Sequence, residues 1–333
     1  MSKWLVLFPL KLVGWGLGIV GAAALVLVAM VATPLSHLPE LTSVSKVARA
    51  VDRSTMPPLT RFFARDGTQL AYRHYPARGN ASGKIAILVH GSSGSSPAVH
   101  ALADALAAKG VETYAPDIRG HGGSGTRGDI AFIGQLENDL DDLVATVRAT
   151  SPNEPLILLG HSAGGGFALR IASSPIGSKF ARTVLLAPYL GYDAPTNRPD
   201  SGGWASPDIP RILALMALRR LGIDCCEALP TLAFAVPANS ERMLAPTYSY
   251  RLMRNFATRG YRYDFVATAS PVTLVSGADD ELMLADKYAD AVHAVAPSVE
   301  VKLIEGVDHM GIVSDPKAVS AVADDVANAQ ARS

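Results

Sequence analysis

Short, continuously apolar runs alternate with amphipathic segments along most of the chain, and this alternation predicts its architecture. The first three long runs cover 84–91, 111–117 and 156–160, each about the length of a strand. Between them, residues 132–150 carry apolar side chains at helical spacing along one stripe. Strands that are apolar on both faces are typical of a parallel sheet with helices on each side. The pattern therefore predicts an α/β fold with a mostly parallel, doubly wound sheet.

The alternation breaks once, between about 190 and 264. It then resumes with apolar runs at 271–277 and 299–306, and a helical pattern closes the chain. The interrupting stretch contains seven prolines and one helical run but no strand pattern. A strandless stretch of this length is too long for an ordinary loop. We predict a mostly helical cap at about 190–264, inserted into a domain that covers 59–333.

The N-terminal stretch differs from the rest, since residues 12–32 form an uncharged apolar run of 21 residues. As a helix this run would be ~30 Å long, which matches the hydrocarbon core of a bilayer. We therefore expect a single transmembrane anchor over 1–33, followed by a proline-containing linker over 34–58. A cleaved signal peptide is the alternative, although its apolar region is usually only ~7–15 residues long. Lys11 precedes the run, which favours a membrane localisation with the catalytic domain on the exported side.

Charge and cysteine content exclude several classes of function. The 333 residues include 30 basic and 30 acidic side chains, so the formal net charge is zero. Because nucleic-acid binding needs a basic surplus on one face, we expect no nucleic-acid partner. Cys225 and Cys226 are the only cysteines and are adjacent, which excludes a disulfide framework, and no metal-ligand spacing occurs. We expect neither a metal nor a cofactor.

Ser162 lies between glycines in the sequence Gly160-His161-Ser162-Ala163-Gly164, where an apolar strand meets a predicted helix. Such a G-x-S-x-G turn is so sharp that side chains at the glycine positions would collide with neighbouring backbone. The turn presents the serine hydroxyl at the carboxyl end of the sheet, where open α/β sheets bind ligands. Ser162 is therefore the predicted nucleophile.

A serine nucleophile needs a neighbouring base, and the base needs a carboxylate that orients it. For a serine on this type of turn, the acid and then the histidine follow later in the chain, each after a strand. His309 follows the strand pattern at 299–306 and is the predicted base. Asp280 follows the strand pattern at 271–277 and is the preferred acid, with Asp279 and Asp193 as alternatives.

Acyl transfer also needs hydrogen-bond donors for the oxyanion of the tetrahedral intermediate. The usual donors are the backbone N–H after the nucleophile and one N–H from the loop after an earlier strand. Ala163 follows Ser162 and supplies the first donor. The loop after the strand pattern at 84–91 supplies the second, and Ser92 is the candidate by its position.

Together these motifs resemble the α/β-hydrolase superfamily, and most closely its lysophospholipase and monoacylglycerol-lipase-like branch, which is also grouped with serine aminopeptidases. The resemblance covers about 60–330. It rests on five motifs, at His90–Gly94, Asp117–Gly125, Gly160–Gly165, Gly277–Asp280 and Asp308–Gly311. It implies an α/β-hydrolase domain over 59–333 with a cap and a Ser162–Asp280–His309 triad.

The resemblance further implies a serine hydrolase that cleaves a carboxylic ester by way of an acyl-enzyme. Its partner would be a small-molecule acyl ester, with lipids as candidates because a membrane anchor would place the enzyme next to them. A thioesterase, an acyltransferase or an aminopeptidase could use the same triad and stay open as alternatives. From another class, a catalytically inactive, membrane-tethered binding protein could share the fold.

Overall fold

The structure is a computed structural model that describes residues 3–237, 240 and 244–328, and the side chains of these residues apart from 3–14 and 16. In chain order, the strands of the described residues are β1 (Leu59–Phe63), β2 (Gln69–Tyr75), β3 (Lys84–Val89), β4 (Val111–Asp117), β5 (Leu156–His161), β6 (Arg182–Leu186), β7 (Ala205–Pro207), β8 (Pro230–Phe234), β9 (Thr247–Ser249), β10 (Val272–Gly277) and β11 (Glu300–Ile304). The α-helices are α1 (Lys3–Val31), α2 (Thr42–Ala50), α3 (His100–Ala108), α4 (Gln135–Arg148), α5 (Ala163–Ala172), α6 (Ile209–Arg220), α7 (Tyr250–Asn255), α8 (Tyr261–Val266), α9 (Tyr288–His293) and α10 (Pro316–Asn328).

Eight strands form the central sheet, in the order β1-β2-β4-β3-β5-β6-β10-β11. β1 and β2 pair antiparallel with each other, and β2 pairs antiparallel with β4. The six strands from β4 to β11 pair in parallel, which confirms the predicted mostly parallel sheet. Every residue of β5 is buried, because neighbouring elements cover both faces of the sheet. This double burial explains why its sequence is continuously apolar.

Helix α4 forms where the amphipathic pattern predicts a helix, at 132–150, and its apolar stripe is buried. The stripe consists of Leu136, Leu140, Leu143, Val144 and Val147. Burying one such side chain is worth roughly 1.5–3 kcal/mol, far more than the differences in helix propensity between residues. The packing of this stripe therefore fixes the position of α4. Other helices also cover the sheet: α5 contacts β5 and β6, and α3 packs against α10.

The segment inserted between β6 and β10 contains α6, α7 and α8, as expected for a mostly helical cap, but it also contains a small sheet. β7, β8 and β9 form this antiparallel sheet in that order. The hydrophobic pattern does not predict it, because β7 and β9 have only three residues each. Strands this short show no readable alternation and depend on contacts with the rest of the fold.

Helix α1 forms at the N-terminus, but the structure does not support the predicted transmembrane anchor over 1–33. Among the described residues, no helix has both the length and the apolar character that crossing a membrane requires. The described side chains of α1 are those of 15 and 17–31. The first residues of the apolar run at 12–32 lie outside the described side chains.

The end of α1 is hydrogen-bonded to the cap. Arg211 of α6 donates from Nε to the carbonyl oxygen of Val31 at 2.8 Å. The Thr33 hydroxyl donates to the Asp208 carboxylate at 2.8 Å. Asp208 and Arg211 are both buried, so these contacts satisfy charged groups that have little access to water.

Helix α2 lies within the segment predicted as a linker at 34–58. Its Val44 is buried in the main hydrophobic core, and Leu41, just before the helix, donates its N–H to the carbonyl oxygen of Ala235 in the cap. The segment that joins α1 to the central domain is therefore packed against both the core and the cap.

Candidate active site

Ser162 lies at the turn between β5 and α5, with φ of 55° and ψ of −120°. A non-glycine residue with positive φ has a backbone strain of roughly 1–3 kcal/mol. Such strain persists only where the surrounding structure holds the residue in place. The Ser162 N–H donates to the carbonyl oxygen of Leu186 at 2.9 Å, and its carbonyl oxygen accepts from Tyr189 N–H at 3.0 Å. β6 and the residues after it therefore hold the turn on both sides.

The glycines around Ser162 allow three pieces of backbone to approach one another. A Cβ atom added to Gly160 would lie 2.1 Å from the carbonyl oxygen of Gly164. One added to Gly164 would lie 2.2 Å from the carbonyl oxygen of His90. Both distances are far inside van der Waals contact, so only glycine fits either position.

Asp280 and His309 form a buried hydrogen-bonded pair at the carboxyl ends of β10 and β11. Asp280 Oδ2 lies 2.8 Å from His309 Nδ1. The other oxygen of Asp280, Oδ1, accepts the N–H groups of Leu282 and Met283, each at 2.8 Å. Burial raises the pKa of Asp280. The charge and hydrogen bond of His309, together with these two amides, lower the pKa by more than burial raises it, so the net shift is downward. Asp280 is therefore held as a carboxylate that accepts from His309.

The pKa of His309 is shifted upward. Burial lowers the pKa of this imidazole, but the charge and hydrogen bond of Asp280 outweigh burial, and Glu281 and Asp308 add smaller contributions in the same direction. Glu281 also touches His309 directly, since its Oε2 accepts the backbone N–H of His309 at 2.9 Å. The carboxylates around His309 therefore stabilise the imidazolium that forms when a base accepts a proton.

His161 connects the nucleophile turn to the loop that carries His309. Its Nε2 donates to the carbonyl oxygen of His309 at 3.1 Å, and the two imidazole rings are 4.9 Å apart. Burial, and then the proximity of His309, lower the pKa of His161 to about 3, so it is neutral. Because His161 precedes Ser162 in the chain, this contact joins the turn that carries Ser162 to the loop that carries His309.

The predicted oxyanion loop, which we define as Gly91–Gly94 after β3, packs directly against Ser162. A Cβ atom on Gly91 would lie 3.1 Å from the Cβ of Ser162. Ser92 belongs to this loop, and Ala163 is the first residue of α5, where the helix dipole favours negative charge. Within the described part of the chain, neither the Ser92 nor the Ala163 N–H donates a hydrogen bond.

The alternative carboxylates lie elsewhere. The Asp279 side chain is exposed, and its N–H donates to the carbonyl oxygen of Val307. Asp193 forms an exposed ion pair with Arg262. Asp308 accepts the N–H of Gly311 at 2.6 Å and so shapes the loop around His309. Asp280 alone among the three predicted candidates contacts the imidazole of His309.

Three residues of the site are not predicted by the sequence pattern. Glu281 follows Asp280 but matches no motif, and Trp204 and Tyr248 come from the small cap sheet. Trp204 donates from Nε1 to Ser92 Oγ at 2.9 Å, and the Tyr248 hydroxyl accepts the N–H of Ser93 at 2.6 Å. Tyrosines are concentrated in the sequence around 248–263, but nothing in their spacing indicates contact with a loop so far away in the chain. Among the described residues, no His, Cys, Asp and Glu side chains cluster in a way that would hold a metal ion.

Comparison with known proteins assigns the family. Residues 80–317 match the model of the family described as serine aminopeptidase, S33. The chain belongs to this family. It is 25% identical over 287 residues to a monoglyceride lipase of Saccharomyces cerevisiae, a match that covers 77% of this chain and 87% of the relative. It is also 24% identical over 242 residues to a monoglyceride lipase homolog of monkeypox virus, covering 68% of this chain and 81% of that protein.

Solved structures share the fold of this family member. A soluble variant of the Saccharomyces cerevisiae monoglyceride lipase, crystallised with a substrate analogue, aligns with a TM-score of 0.64 at 19% identity. The alignment covers 83% of this chain and 95% of that structure. A monoacylglycerol lipase from Paleococcus ferrophilus aligns with a TM-score of 0.55 at 18% identity, covering 78% of this chain and 98% of that one. The predicted α/β-hydrolase fold is confirmed, and family and relatives together place the chain among the serine hydrolases that act on ester bonds.

Proposed function

We propose that this protein hydrolyses small acyl esters, with monoacylglycerols as the leading substrate class, through a Ser162–Asp280–His309 triad. The observation that carries the proposal is the buried Asp280–His309 pair, with Oδ2 and Nδ1 2.8 Å apart, beside a strained serine turn. The relatives named as monoglyceride lipases supply the substrate class. The alignment with the yeast relative covers most of both chains, which favours a similar overall activity.

In the first step, the Ser162 hydroxyl attacks the ester carbonyl while His309 Nε2 takes its proton. Asp280 accepts from Nδ1, which keeps the unprotonated nitrogen facing the serine and stabilises the imidazolium that forms. The charge that develops on the carbonyl oxygen is held by the Ser92 and Ala163 N–H groups. The imidazolium then returns the proton to the leaving alcohol, and the acyl group remains on Ser162.

In the second step, water replaces the alcohol. His309 takes a proton from the water, which attacks the acyl carbon of Ser162, and the same two amides hold the second oxyanion. The imidazolium then protonates Ser162 Oγ as the free acid leaves. Each step moves one proton through one histidine, so these residues need no further group for the reaction.

The test is labelling of the full-length chain with a fluorophosphonate probe, with mass-spectrometric mapping of the adduct, followed by a substrate panel. We expect an adduct on Ser162 that is absent in Ser162→Ala and strongly reduced in His309→Ala. Among substrates, we expect monoacylglycerols and p-nitrophenyl esters to be cleaved faster than acyl thioesters and aminoacyl amides. No adduct in the folded chain would contradict the serine mechanism, and faster cleavage of thioesters or amides would reassign the substrate class.

A further inference from the structure

The oxyanion loop is held from the cap by three hydrogen bonds. Trp204 Nε1 donates to Ser92 Oγ at 2.9 Å, and the Ser93 N–H donates to the Tyr248 hydroxyl at 2.6 Å. The third bond runs from the Ala245 N–H to the Ser93 carbonyl oxygen at 2.8 Å. Both polar backbone groups of Ser93 are thus bonded to the cap.

The small cap sheet presents these aromatic side chains as one packed group. Trp204 immediately precedes β7, Phe234 ends β8, and Tyr248 lies in β9. The ring of Phe234 is 5.7 Å from that of Trp204 and 4.6 Å from that of Tyr248. One aromatic residue thus comes from β8, one from β9 and one from the position just before β7, and the sheet keeps the two hydrogen-bonding side chains at a fixed separation.

The direction of the hydrogen bonds around Tyr248 is fixed by its partners. A backbone N–H can only donate, so the Tyr248 oxygen accepts from Ser93 and its own proton must go to another acceptor. That acceptor is Nε2 of His121, with which the Tyr248 hydroxyl also bonds. Burial, together with nearby His90, holds the pKa of His121 well below its usual value, so the ring is neutral. Its Nδ1 donates to the carbonyl oxygen of Ile118 at 3.2 Å, which leaves Nε2 without a proton and able to accept. The Tyr248 hydroxyl therefore accepts one hydrogen bond and donates one, and it cannot rotate away from Ser93 without losing a bond.

Ser93 needs such support, because its own conformation is unfavourable. Its φ is 64°, in the left-handed region that favours glycine, and its side chain is buried. Its hydroxyl has no hydrogen-bond partner among the described residues, so the side chain does not compensate for the backbone conformation. Contacts from outside the loop must hold Ser93, and Tyr248 and Ala245 provide them.

We propose that Tyr248 is a positioning residue for the oxyanion hole. By holding the Ser93 N–H, it fixes the neighbouring Ser92 amide, which faces the substrate carbonyl, and it keeps the Ser93 amide from competing for that oxygen. The proposal rests on the proposed function, since it assigns to Ser92 the role of oxyanion donor. Tyr248 acts on the transition state through the loop and does not touch the reacting atoms.

The test compares Tyr248→Phe with a matched control in the full-length chain. Tyr248→Phe keeps the ring and removes only the hydroxyl. Tyr75→Phe removes another buried tyrosine hydroxyl, one that also bonds a histidine, His100, at 3.0 Å. Each variant is assayed on a p-nitrophenyl ester and on the matching thionoester, whose sulfur accepts hydrogen bonds weakly and gains little from an oxyanion hole.

We expect Tyr248→Phe to lower kcat for the oxygen ester by about tenfold, less than the roughly 10²–10³-fold cost of deleting a donor outright. KM should stay within about twofold, because the bond matters mainly in the transition state. The thionoester should be affected less, so the ratio of oxygen-ester to thionoester activity should fall. Tyr75→Phe should keep the wild-type ratio.

An unchanged ratio in folded Tyr248→Phe, whether the variant is slow or fast, would overturn the proposal, as would an equal fall in the ratio for Tyr75→Phe. If Tyr248→Phe lacks a cooperative thermal transition, Trp204→Phe, which removes the donor to Ser92 Oγ, is judged by the same ratio. Wild type and Ser162→Ala are assayed alongside, so that failure of the proposed function can be distinguished from failure of the inference about Tyr248. A wild type no more active than Ser162→Ala removes the proposed function and this inference together, whereas an active wild type leaves only the inference at stake.

Discussion

Asp279 and Asp280 are neighbours in the chain but have opposite environments. The Asp279 side chain is exposed to solvent, whereas Asp280 is fully buried and hydrogen-bonded to His309. We expect Asp280→Asn to lower kcat by about 10³- to 10⁴-fold, because an amide can neither hold the required tautomer of His309 nor stabilise its charge. Asp279→Asn serves as the matched control.

The measurement for this pair is kcat on a p-nitrophenyl ester at neutral pH, with the thermal transition as a check of folding. Asp279→Asn should stay within about threefold of the wild type, as a surface substitution does. A loss in Asp279→Asn as large as that in Asp280→Asn would show that the acid has been assigned to the wrong carboxylate.

The pH profile of the enzyme depends on the carboxylates near His309. The base must be unprotonated to act, and the pKa of His309 is raised, so kcat/KM should rise with pH through a value above the ordinary histidine pKa of about 6.5. Glu281→Gln keeps an acceptor for the His309 N–H but removes one of the charges that raise this pKa. Its acidic limb should therefore move to lower pH, and activity in mild acid should increase relative to the plateau. A pH titration of kcat/KM measures this, and a shift to higher pH would contradict the assignment.

Much of the candidate site follows local patterns, so its residues could be proposed from the sequence one by one. Ser162 lies in a five-residue motif, and Asp280 and His309 each come directly after an apolar strand, so strand order alone brings them to one edge. Trp204 and Tyr248 could not be predicted in this way. Their partners in the oxyanion loop are over a hundred residues away, and no local spacing encodes that contact.

At the scale of single elements, the turn between β5 and α5 depends on close backbone packing. We expect Gly164→Ala to destabilise the fold by about 1–3 kcal/mol, since the added Cβ would meet the His90 carbonyl oxygen at 2.2 Å. Gly21→Ala is the control, because Gly21 lies in α1 with nothing within 4 Å of an added Cβ. Alanine there should be neutral or slightly stabilising.

Urea unfolding of both variants gives the free energies of unfolding directly. Equal stability of Gly164→Ala and the wild type would mean that the turn can relax around a methyl group, and the argument from backbone contact would then be wrong.

The inner strands β3, β5, β6 and β10 were predictable because nearly every residue in them is buried, which makes each one a largely apolar run. The cap sheet and α2 were not. β7 and β9 are too short to carry a pattern, and α2 is a nine-residue helix in a proline-containing stretch. Helices of this length are marginal in isolation and form because tertiary packing holds them, in this case through buried Val44.

For the molecule as a whole, the residues before β1 stabilise the cap. A chain that begins at Pro34 lacks Thr33 and the carbonyl group of Val31, and so leaves buried Asp208 and Arg211 without two of their partners. We expect its Tm to be roughly 4–8 °C below that of a chain that begins at Met30, equivalent to about 2 kcal/mol at ~2–4 °C per kcal/mol. Differential scanning calorimetry of both chains measures the difference. Thr33→Val in the longer chain should reproduce part of the loss, and identical Tm values for the two chains would show that these contacts do not contribute.

The position of the cap sheet links substrate selectivity to turnover. Exchanging the segment between β6 and β10 for the corresponding segment of a relative is a direct way to test whether the cap selects which esters are accepted. Yet the same segment carries Trp204 and Tyr248, which bond the loop beside Ser162. A chimaera built by such an exchange would inherit its donor's fit between cap and loop, or lose that fit altogether. We therefore expect an exchange made to change substrate selectivity to change turnover as well.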